Sequence, residues 1–469
     1  MLISVECELP AVMAKTAAPV PPQVFIHVWQ TLSEYGWDAD DFGVSRKVEY
    51  PPADCIRAEQ VITTDTGPTI ELAPCPRQTV QEIEIQITSL RRVIAEQLDP
   101  HGVKLFGGGV HPALGATREE YYAFRTQRKA YDYAIEQRGW SHHSILNICA
   151  TQEIIDVTVS DAIRVLRVMH RLAGLSLFLF RNDPDLHDAY PRAPYSIRPS
   201  AWRTHIPQGG YFAKDALKVW LPPTEIVSWE QYLALLWDTN PMFLLGTKNS
   251  GLVYVPTHPT FWEYLTNTPK GGWLARTLAG NAETHLYPEF AHVLQTDWTY
   301  MGFARLRWKW KSPLPDIGDL IDARVNGMLD DFLTAHLEKI VLEHRANTAP
   351  MQGQEMTSLA FVTGLVSNLE DAERFTSRYP YEFWLRIACA AESQPLRGSI
   401  DKTSLTALLQ EILEVSYVGL KARGFSEEEY LSPLYERVEK RTSSSEVMLE
   451  IFRNGGTQAL LRSLCYDIG

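Results

Sequence analysis

Residues 2–10 read LISVECELP, and this stretch decides the fold prediction. Apolar and polar residues alternate along it, which is the pattern of a strand with one buried face. The buried face would be made by Ile3, Val5, Cys7 and Leu9. The carboxylates of Glu6 and Glu8 would then share the opposite face, because side chains two residues apart in a strand point the same way.

Three more stretches predict strands. Residues 66–74 (TGPTIELAP) place Glu71 on the polar face of a strand that ends at Pro74. Residues 142–157 (HHSILNICATQEIIDV) are rich in β-branched and apolar side chains, which is typical of a central strand. Residues 305–311 (RLRWKWK) alternate as strictly as the first strand.

Apolar residues at helical spacing predict helices over 78–98, from Thr117 to about Gly139, and over 160–177. From residue 317 onward helical spacing dominates, and the predicted helices are 317–345, 355–372, 378–392, 402–423 and 426–441. We therefore predict a catalytic part at 1–316 and a helical part at 317–469 packed on it. Since β-α-β units do not alternate, the sheet is expected to be antiparallel and the fold class α+β.

Charge and hydropathy exclude several classes of protein. The formal net charge of −13 argues against general binding to nucleic acids or anionic membranes, which depends on clustered positive charge. The longest apolar stretch, around residues 175–180, is much shorter than the roughly 20 residues that span a bilayer. No secretory segment precedes the first apolar run, so we expect a soluble cytoplasmic protein without nucleic-acid or membrane partners.

The pair Glu6 and Glu8 has two interpretations. Two carboxylates on one strand face suit hard cations such as Mg²⁺, which prefer oxygen ligands. A polar strand face that is simply solvated shows the same pattern. Glu71, on a second strand with its own polar face, favours the metal interpretation if the two strands are neighbours.

The strand at 305–311 also has two interpretations. Its four cations lie on one face, and they are Arg305, Arg307, Lys309 and Lys311. Such a row either faces solvent or lines a site for anions such as triphosphate and carboxylates.

Several segments, taken in order, resemble the glutamate–cysteine ligase superfamily, and specifically its plant and proteobacterial branch. They are S-V-E-C-E-L at 4–9, G-P-T-I-E-L-A-P-C-P at 67–76, G-G-G-V-H-P-A at 107–113, C-A-T-Q-E-I-I-D at 149–156, S-I-R-P-S-A-W at 196–202 and L-K-A-R-G-F at 420–425. The best local match is 196–202, which fits the family's S-x-R-x-x-x-W.

The resemblance implies a glutamine-synthetase-like fold, in which an antiparallel sheet forms a funnel with helices on its outer face. It also implies an ATP-dependent ligase that joins an amino acid's carboxylate to an amine through an acyl phosphate, with ATP and Mg²⁺ as cofactors and glutamate and cysteine as the default substrates. The residue roles that it implies are metal binding by Glu6, Glu8 and Glu71, substrate binding by Gln152, Arg198 and Tyr121, catalysis by Arg198 and Arg307, and nucleotide binding by Arg305, Arg307 and Lys309.

Two positions depart from the family's pattern. The family shows E-x-R on a late strand, where this chain has Arg305-Leu306-Arg307. We therefore expect a guanidinium in place of a metal-binding carboxylate, with fewer metals or a different acidic substrate as the consequence. An arginine–tyrosine pair of the family reads Glu120-Tyr121 here. The alternative function is a non-catalytic or reassigned homologue that binds a nucleotide, a peptide or an acidic partner through residues 305–311.

Overall fold

The computed structural model describes thirteen ranges of the chain, which are 1–39, 45–48, 59–65, 67–115, 117–125, 129–142, 148–189, 192–205, 211–238, 244–247, 251–278, 282–296 and 300–466. Strands and helices are interspersed through the first two thirds of the chain, and helices dominate the last third.

The strands are β1 (Ile3–Met13), β2 (Asp38–Ala39), β3 (Ser45–Val48), β4 (Glu59–Thr64), β5 (Thr69–Ala73), β6 (Val103–Leu105), β7 (Thr151–Val157), β8 (Leu245–Thr247), β9 (Gly251–Tyr254), β10 (Trp273–Thr277), β11 (Glu283–Leu286), β12 (Ala304–Trp310), β13 (Leu337–His344), β14 (Ser399–Ile400) and β15 (Thr403–Ser404).

The α-helices are α1 (Pro22–Glu34), α2 (Val80–Leu98), α3 (Arg118–Phe124), α4 (Lys129–Glu136), α5 (Ala162–Phe180), α6 (Ile197–His205), α7 (Trp229–Trp237), α8 (Phe261–Thr266), α9 (Phe290–Val293), α10 (Ile317–Val325), α11 (Leu329–His336), α12 (Thr357–Ser367), α13 (Leu369–Thr376), α14 (Tyr381–Ala390), α15 (Leu405–Arg423), α16 (Ser432–Lys440) and α17 (Ser444–Leu464). Within the part of the chain that the structure describes, no helix is both long and apolar enough to cross a lipid bilayer.

One antiparallel sheet of nine strands organises the fold, in the order β12-β13-β7-β1-β5-β4-β3-β2 with β6 paired to the end of β1. The predicted α+β class with an antiparallel sheet is confirmed. In the register of the central strands, Glu8 lies opposite Glu71, and Glu6 lies opposite Gln152. Directly opposed residues of antiparallel strands point to the same side, so these four side chains share one face.

The other face of the sheet is apolar and covered by helices. The predicted buried side chains of β1 are each at most 1% exposed, and they are Ile3, Val5, Cys7 and Leu9. Helices α2 and α12 contact β1, and α5 contacts β12 and β13. Burial of apolar surface stabilises this arrangement by roughly 25 cal/mol per Å². The helices therefore lie behind the sheet, and its polar face is left for a site.

Local sequence signals set the helix boundaries on the N-terminal side. Thr79 and Glu82 form a capping box at the start of α2, as Thr117 and Glu120 do at the start of α3. The predicted helix over 78–98 is confirmed as α2. The predicted helix from Thr117 to about Gly139 is wrong in its length, because α3 ends at Phe124 and a separate helix, α4, follows.

The C-terminal segment differs from its prediction at one important place. Residues 337–344 were expected to continue a helix over 317–345, but they form β13, which lies between β12 and β7 in the main sheet. Helix α11 runs directly into this strand at Leu337, without a glycine or proline to mark the change. The segment after residue 316 thus contributes a strand to the sheet as well as helices.

Candidate functional site

A cavity of about 340 Å³ lies over the polar face of the main sheet, and we call it the main cavity. Its volume is in the range of small-molecule sites. The residues that line it from the strands of this face are Glu6, Glu8, Glu71, Gln152 and Arg305. The other lining residues are Ala130, Tyr131 and Ala134 of α4, together with Asp65, Trp140, Met301 and Arg345.

A smaller recess of about 80 Å³ adjoins the main cavity, and we call it the Arg198 recess. Helix α6 contributes Arg198 and Trp202 to its lining. The residues that line both spaces are Glu8, Asp65, Tyr131, Trp140, Met301 and Arg345. The two spaces are therefore parts of one site.

Register on the sheet brings the three predicted metal ligands together. Glu6, Glu8 and Glu71, which we call the strand carboxylates, share one face and line the main cavity. The predicted shared face is confirmed. Glu6 and Glu8 are only 8% and 5% exposed. A solvated strand face, the other interpretation of this pattern, does not describe side chains that are so buried.

A chain of polar contacts runs across the site from β13 to β1. Arg345 donates through Nη1 to the carboxylate of Glu343 and to the amide oxygen of Gln152. Gln152 donates through Nε2 to Glu8 Oε1 at 2.8 Å, and the backbone N–H of Ala150 donates to Glu8 Oε2 at 2.6 Å. Gln152 thus links a guanidinium to a carboxylate, and both oxygens of Glu8 are oriented by the protein.

Glu8 and Glu343, the two glutamates in this series of contacts, have pKa values that are shifted in opposite directions. Burial, and then the charge of Asp65, raises the pKa of Glu8 to about 8, although Arg198 and the N–H of Ala150 oppose the shift. Burial alone would also raise the pKa of Glu343. The charges of Arg305, Arg345 and Arg307 outweigh burial and hold the pKa of Glu343 well below its usual range.

The cations on the predicted face of β12 pair with different carboxylates, and only some of these cations lie at the site. Arg305 lines the main cavity, where its Nη2 lies 2.7 Å from Glu343 and its Nη1 donates to the carbonyl of Tyr300 at 3.1 Å. Arg307 contacts Glu343 at 3.3 Å. Lys309 lies farther along the strand, 2.9 Å from Glu338, and does not line either space. The structure therefore brings Arg305 to the site and leaves Lys309 outside it.

A late-strand carboxylate, Glu343, lies next to Arg305, although it lines neither the main cavity nor the Arg198 recess. The E-x-R pattern expected on a late strand occurs on β13 and directly after it, as Glu343-His344-Arg345. Glu343 lies opposite Arg305 in the register of β13 and β12. Arg305 lies over the same cavity as Glu6 and Glu8, as expected, and it also lies beside a carboxylate from the neighbouring strand. The loss of a metal position at Arg305 stays a prediction.

Arg198 is held from several directions. Its Nη1 donates to the carbonyls of Arg345 and Asn347, and its guanidinium lies 4.2 Å from the centre of the Trp202 ring. Burial, and then the nearby charge of Arg345, lowers the pKa of Arg198 to about 10. The side chain therefore remains cationic at neutral pH and is fixed in the wall of its recess.

Asp183 fixes the start of the helix that carries Arg198. The carboxylate of Asp183 accepts hydrogen bonds from Ser196 Oγ at 2.9 and 3.0 Å and from the backbone N–H of Arg198 at 2.8 Å. It thereby caps α6 from another part of the chain. Burial raises the pKa of Asp183 to about 7, although these hydrogen bonds oppose the shift.

We expect Asp183→Asn to change how stability depends on pH. The folded protein holds the Asp183 proton more tightly than the unfolded chain, so the contribution of this group to stability falls as pH rises from about 4 to about 7. Asparagine does not titrate, so the free energy of unfolding of the variant, relative to wild type, should rise across this window. Urea unfolding at a series of pH values measures this. Parallel curves for the two proteins would contradict it.

Tyr121 does not reach the site. It is 1% exposed, packs in an aromatic and aliphatic cluster with Tyr133 and Trp140, and donates its hydroxyl to Asp132 at 3.1 Å. It lines neither the main cavity nor the Arg198 recess. Tyr121 was predicted to bind substrate, but in the structure it packs in the same cluster as Trp140, and only Trp140 lines the cavity.

Three residues of the site were missed by sequence reasoning. Glu343 and Arg345 belong to a segment that was predicted to be helical, although the alternation of Ile340, Leu342 and His344 with polar or smaller residues was a signal for a strand. Asp65 follows the end of β4, where no motif marks it. A carboxylate at a strand end is a weak signal by itself.

The lining of the main cavity suits a hard divalent cation in its chemistry. The strand carboxylates and Asp65 supply oxygen ligands, the type that Mg²⁺ prefers. Among the described residues, no group of three or more His, Cys, Asp and Glu side chains is already arranged as a metal site. The strand carboxylates share a face and a cavity without surrounding a common point.

Part of the chain matches the model of a known family. Residues 5–234 match the model of glutamate-cysteine ligase family 2. The family segment contains the strand carboxylates, Gln152 and Arg198, whereas Arg305 and Arg345 lie beyond it. No curated protein matches the chain in sequence.

Solved structures resemble this chain at low sequence identity. A glutamate–cysteine ligase from Francisella tularensis in complex with AMP is 13% identical, with a TM-score of 0.52 over 99% of this chain and 87% of that one. This likeness supports a shared fold. A bifunctional glutathione synthetase from Pasteurella multocida is 11% identical, with a TM-score of 0.46 over 99% of this chain, and this chain spans only 50% of its length.

Proposed function

We propose that this protein is an ATP-dependent carboxylate–amine ligase of the glutamate–cysteine type, which forms an amide through an acyl phosphate. The observation that carries the proposal is the strand register, which places Glu6, Glu8 and Glu71 on one sheet face and over the same site as Arg198 and Arg345. The match of residues 5–234 to the model of family 2 supports a carboxylate–amine ligase. The funnel form of the sheet and the division of the chain at residue 316 stay predictions.

The strand carboxylates would hold Mg²⁺, which when bound neutralises phosphate oxygens and so favours phosphoryl transfer. Glu8 is the most constrained of the three, because Gln152 and the N–H of Ala150 hold both of its oxygens in place. Fixed ligands of this kind need no reorganisation during the reaction. Gln152 therefore acts in this proposal by orienting Glu8 and Arg345.

The arginines would bind the anionic groups of the substrates. Arg345 lines both the main cavity and the Arg198 recess, so it can contact a phosphate or a carboxylate held between them. Arg198 presents a planar guanidinium from the wall of a recess of about 80 Å³, which suits a carboxylate held by two hydrogen bonds. Arg305 is a weaker candidate for binding a group held between the two spaces, because it lines the main cavity alone, while Glu343 pairs with both arginines.

We expect Arg198→Lys to raise the KM for the acid substrate by roughly 10-fold or more, since hydrogen bonds between charged groups contribute about 1.5–3 kcal/mol and lysine lacks the planar fork. Steady-state ADP release against the concentration of the acid measures this. The matched control is Arg203→Lys on the same helix, because Arg203 pairs with Glu392 and lines neither space. An unchanged KM in Arg198→Lys would refute the role of Arg198.

The alternative function, a non-catalytic homologue that binds through residues 305–311, finds little support in the contacts. Arg305 and Arg307 contact Glu343, Lys309 contacts Glu338, and Lys311 donates to the carbonyl of Ala335. These cations are therefore engaged within the protein and do not form an open strip for a polyanion.

Incubation of the pure protein with ATP, Mg²⁺, glutamate and a panel of amines tests the proposal. ADP release that requires both Mg²⁺ and an amino acid is expected. Hydroxylamine should be included in the panel, because it converts an acyl phosphate to a hydroxamate that can be measured directly. If no amino acid and amine pair supports ADP release, the proposed function fails.

A further inference from the structure

A polar cluster interrupts the apolar, helix-covered face of the main sheet, and we call it the Glu153 cluster. Its three side chains are Glu153 of β7, His344 of β13 and Asn347, and all three are buried. His344 donates through Nδ1 to Glu153 Oε2 at 2.7 Å, since a carboxylate can only accept. Asn347 donates through Nδ2 to Glu153 Oε1 at 3.0 Å. One buried carboxylate therefore holds the end of β13 and the segment that follows it.

The position of Glu153 separates the cluster from the cavity. Glu153 lies opposite Val5 in the sheet register, on the apolar face. Gln152, its neighbour in β7, points to the other face and lines the main cavity. Burial of a carboxylate among apolar side chains costs free energy, and apolar side chains of similar volume are often at least as stabilising. Stability alone is therefore a weak reason for this cluster.

The segment 345–349, which follows β13, connects the cluster to the site. Arg345 lines both the main cavity and the Arg198 recess. The carbonyls of Arg345 and Asn347 accept hydrogen bonds from Arg198 Nη1. The side chain of Asn347 reaches back to Glu153. Asn347 thus links Glu153 to both arginines that line the recess.

We infer that Glu153 is a positioning residue, which holds Arg198 and Arg345 in their binding geometry through Asn347. This inference rests on the proposed function, in which the two arginines bind the anionic groups of the substrates. A guanidinium binds a carboxylate through two parallel hydrogen bonds, so its orientation matters as well as its charge. A displacement of about 1 Å caused far from the chemistry can cost about 100-fold in rate. Glu153 can therefore control substrate binding from the opposite face of the sheet.

Glu153→Gln keeps the volume of the side chain and tests this role. Its amide accepts through one atom only, so His344 or Asn347 loses its acceptor. In the folded variant we expect the KM for L-glutamate, measured by ADP release, to rise roughly 10-fold, the size that follows loss of one hydrogen bond to a charged group. The Mg²⁺ concentration for half-maximal ADP release should not change, because the strand carboxylates lie on β1 and β5. A purely structural role would lower the free energy of unfolding and leave this KM unchanged.

Hydrogen exchange of the segment 345–349 gives a second readout, which does not depend on turnover. The N–H of Ala349 donates to the carbonyl of Cys149 at 3.1 Å, so its exchange reports how firmly the segment is held. Mass spectrometry of peptides that contain Ala349 should show faster exchange in Glu153→Gln than in wild type. Peptides of α15, which is remote from the cluster in the helical part, should exchange at the same rate in both proteins.

Asn347→Leu is the second variant, because leucine has a similar shape and leaves the pair of Glu153 and His344 in place. It should raise the KM for L-glutamate as Glu153→Gln does, and it decides the question if Glu153→Gln does not fold. The matched control is Ser416→Ala, which removes a buried hydrogen bond to the carbonyl of Phe361 in the helical part. This control should lower the free energy of unfolding and leave the KM unchanged.

Three results would overturn the inference. They are a wild-type KM in the folded variants, an equal rise of the KM in Ser416→Ala, and unchanged exchange at Ala349 in Glu153→Gln. Absence of ADP release by wild type with every amino acid and amine overturns the proposed function instead, and the exchange measurement still tests whether Glu153 holds the segment.

Discussion

Replacing Glu6 with glutamine will reduce Mg²⁺-dependent ADP release by about 100-fold or more, and Glu8→Gln will do the same. The reason is that each change removes a charged oxygen ligand where charge develops on phosphate, and losses of this size follow removal of one preorganised group. Glutamine has nearly the same volume and Glu6 lies on the polar face of the sheet, so Glu6→Gln should keep the fold. In Glu8→Gln the amide nitrogen would face the N–H of Ala150 or Nε2 of Gln152, so some loss of stability is expected there.

Circular dichroism and urea unfolding will establish that these variants are folded. The matched control is Glu96→Gln, which removes an exposed carboxylate from α2 and should leave ADP release unchanged. A higher Mg²⁺ concentration should partly restore activity in Glu6→Gln, because the loss is one of metal affinity. If the variants are folded and release ADP at the wild-type rate, the proposed metal binding by the strand carboxylates is contradicted.

The second large effect is expected from Glu343→Gln, which should destabilise the protein by about 3–5 kcal/mol. Glu343 is fully buried and contacts Arg305, Arg307 and Arg345. Glutamine would leave three guanidinium groups near one another without their shared carboxylate. Urea unfolding measures the change, and ADP release should fall as well because Arg345 loses its anchor.

The destabilisation by Glu343→Gln should depend on pH in a defined direction. Three cations hold the pKa of Glu343 below its usual range, so its contribution to stability is complete above about pH 4.3 and is lost as pH falls further toward the folded pKa. The difference between wild type and variant should therefore shrink below about pH 4. The control is Glu338→Gln, whose partially exposed pair with Lys309 should contribute about 1 kcal/mol or less. Equal destabilisation by both changes would contradict the special role of Glu343.

The central strands could be predicted from the sequence because their side chains alternate without interruption. The pattern of β1 placed Glu6 and Glu8 on one face, and the pattern of β5 placed Glu71 on a polar face. Burial of one sheet face imposes this alternation, so it is visible in the sequence. That β1 and β5 are neighbours is a tertiary fact, and the structure supplies it through the pairing of Glu8 with Glu71.

Strand β13 could not be distinguished from a helix by the same reasoning, because its alternation competes with a helical spacing that begins in α11. Apolar residues from α11 into β13 are spaced like the buried face of one helix, and they are Leu329, Leu333, Leu337 and Ile340. The two elements are contiguous, and no glycine or proline marks their junction. The change from helix to strand is imposed by pairing with β12 and β7, which lie far away in sequence. The position of Arg345 in the site follows from that pairing.

The pairing of charges between neighbouring strands could not be predicted from the sequence either. The row of cations at 305–311 predicts either a solvated face or an anion site, because the pattern of one strand contains no information about its neighbours. In the structure Glu343 on the neighbouring strand opposes Arg305 and Arg307. A pattern within one strand gives the face of a side chain, whereas its partner depends on the order of strands in the sheet.

Transfer of ¹⁸O from the acid substrate to phosphate is the measurement that tests the proposed function most directly. In a ligase that works through an acyl phosphate, a carboxylate oxygen of the acid attacks the γ-phosphorus of ATP and ADP leaves. The amine then attacks the acyl carbon, and phosphate departs with that carboxylate oxygen. L-glutamate labelled with ¹⁸O in its carboxylates, incubated with ATP, Mg²⁺, the protein and the amine that supports turnover, should therefore yield phosphate that carries one ¹⁸O atom per ADP formed. ADP accompanied by unlabelled phosphate would contradict the account.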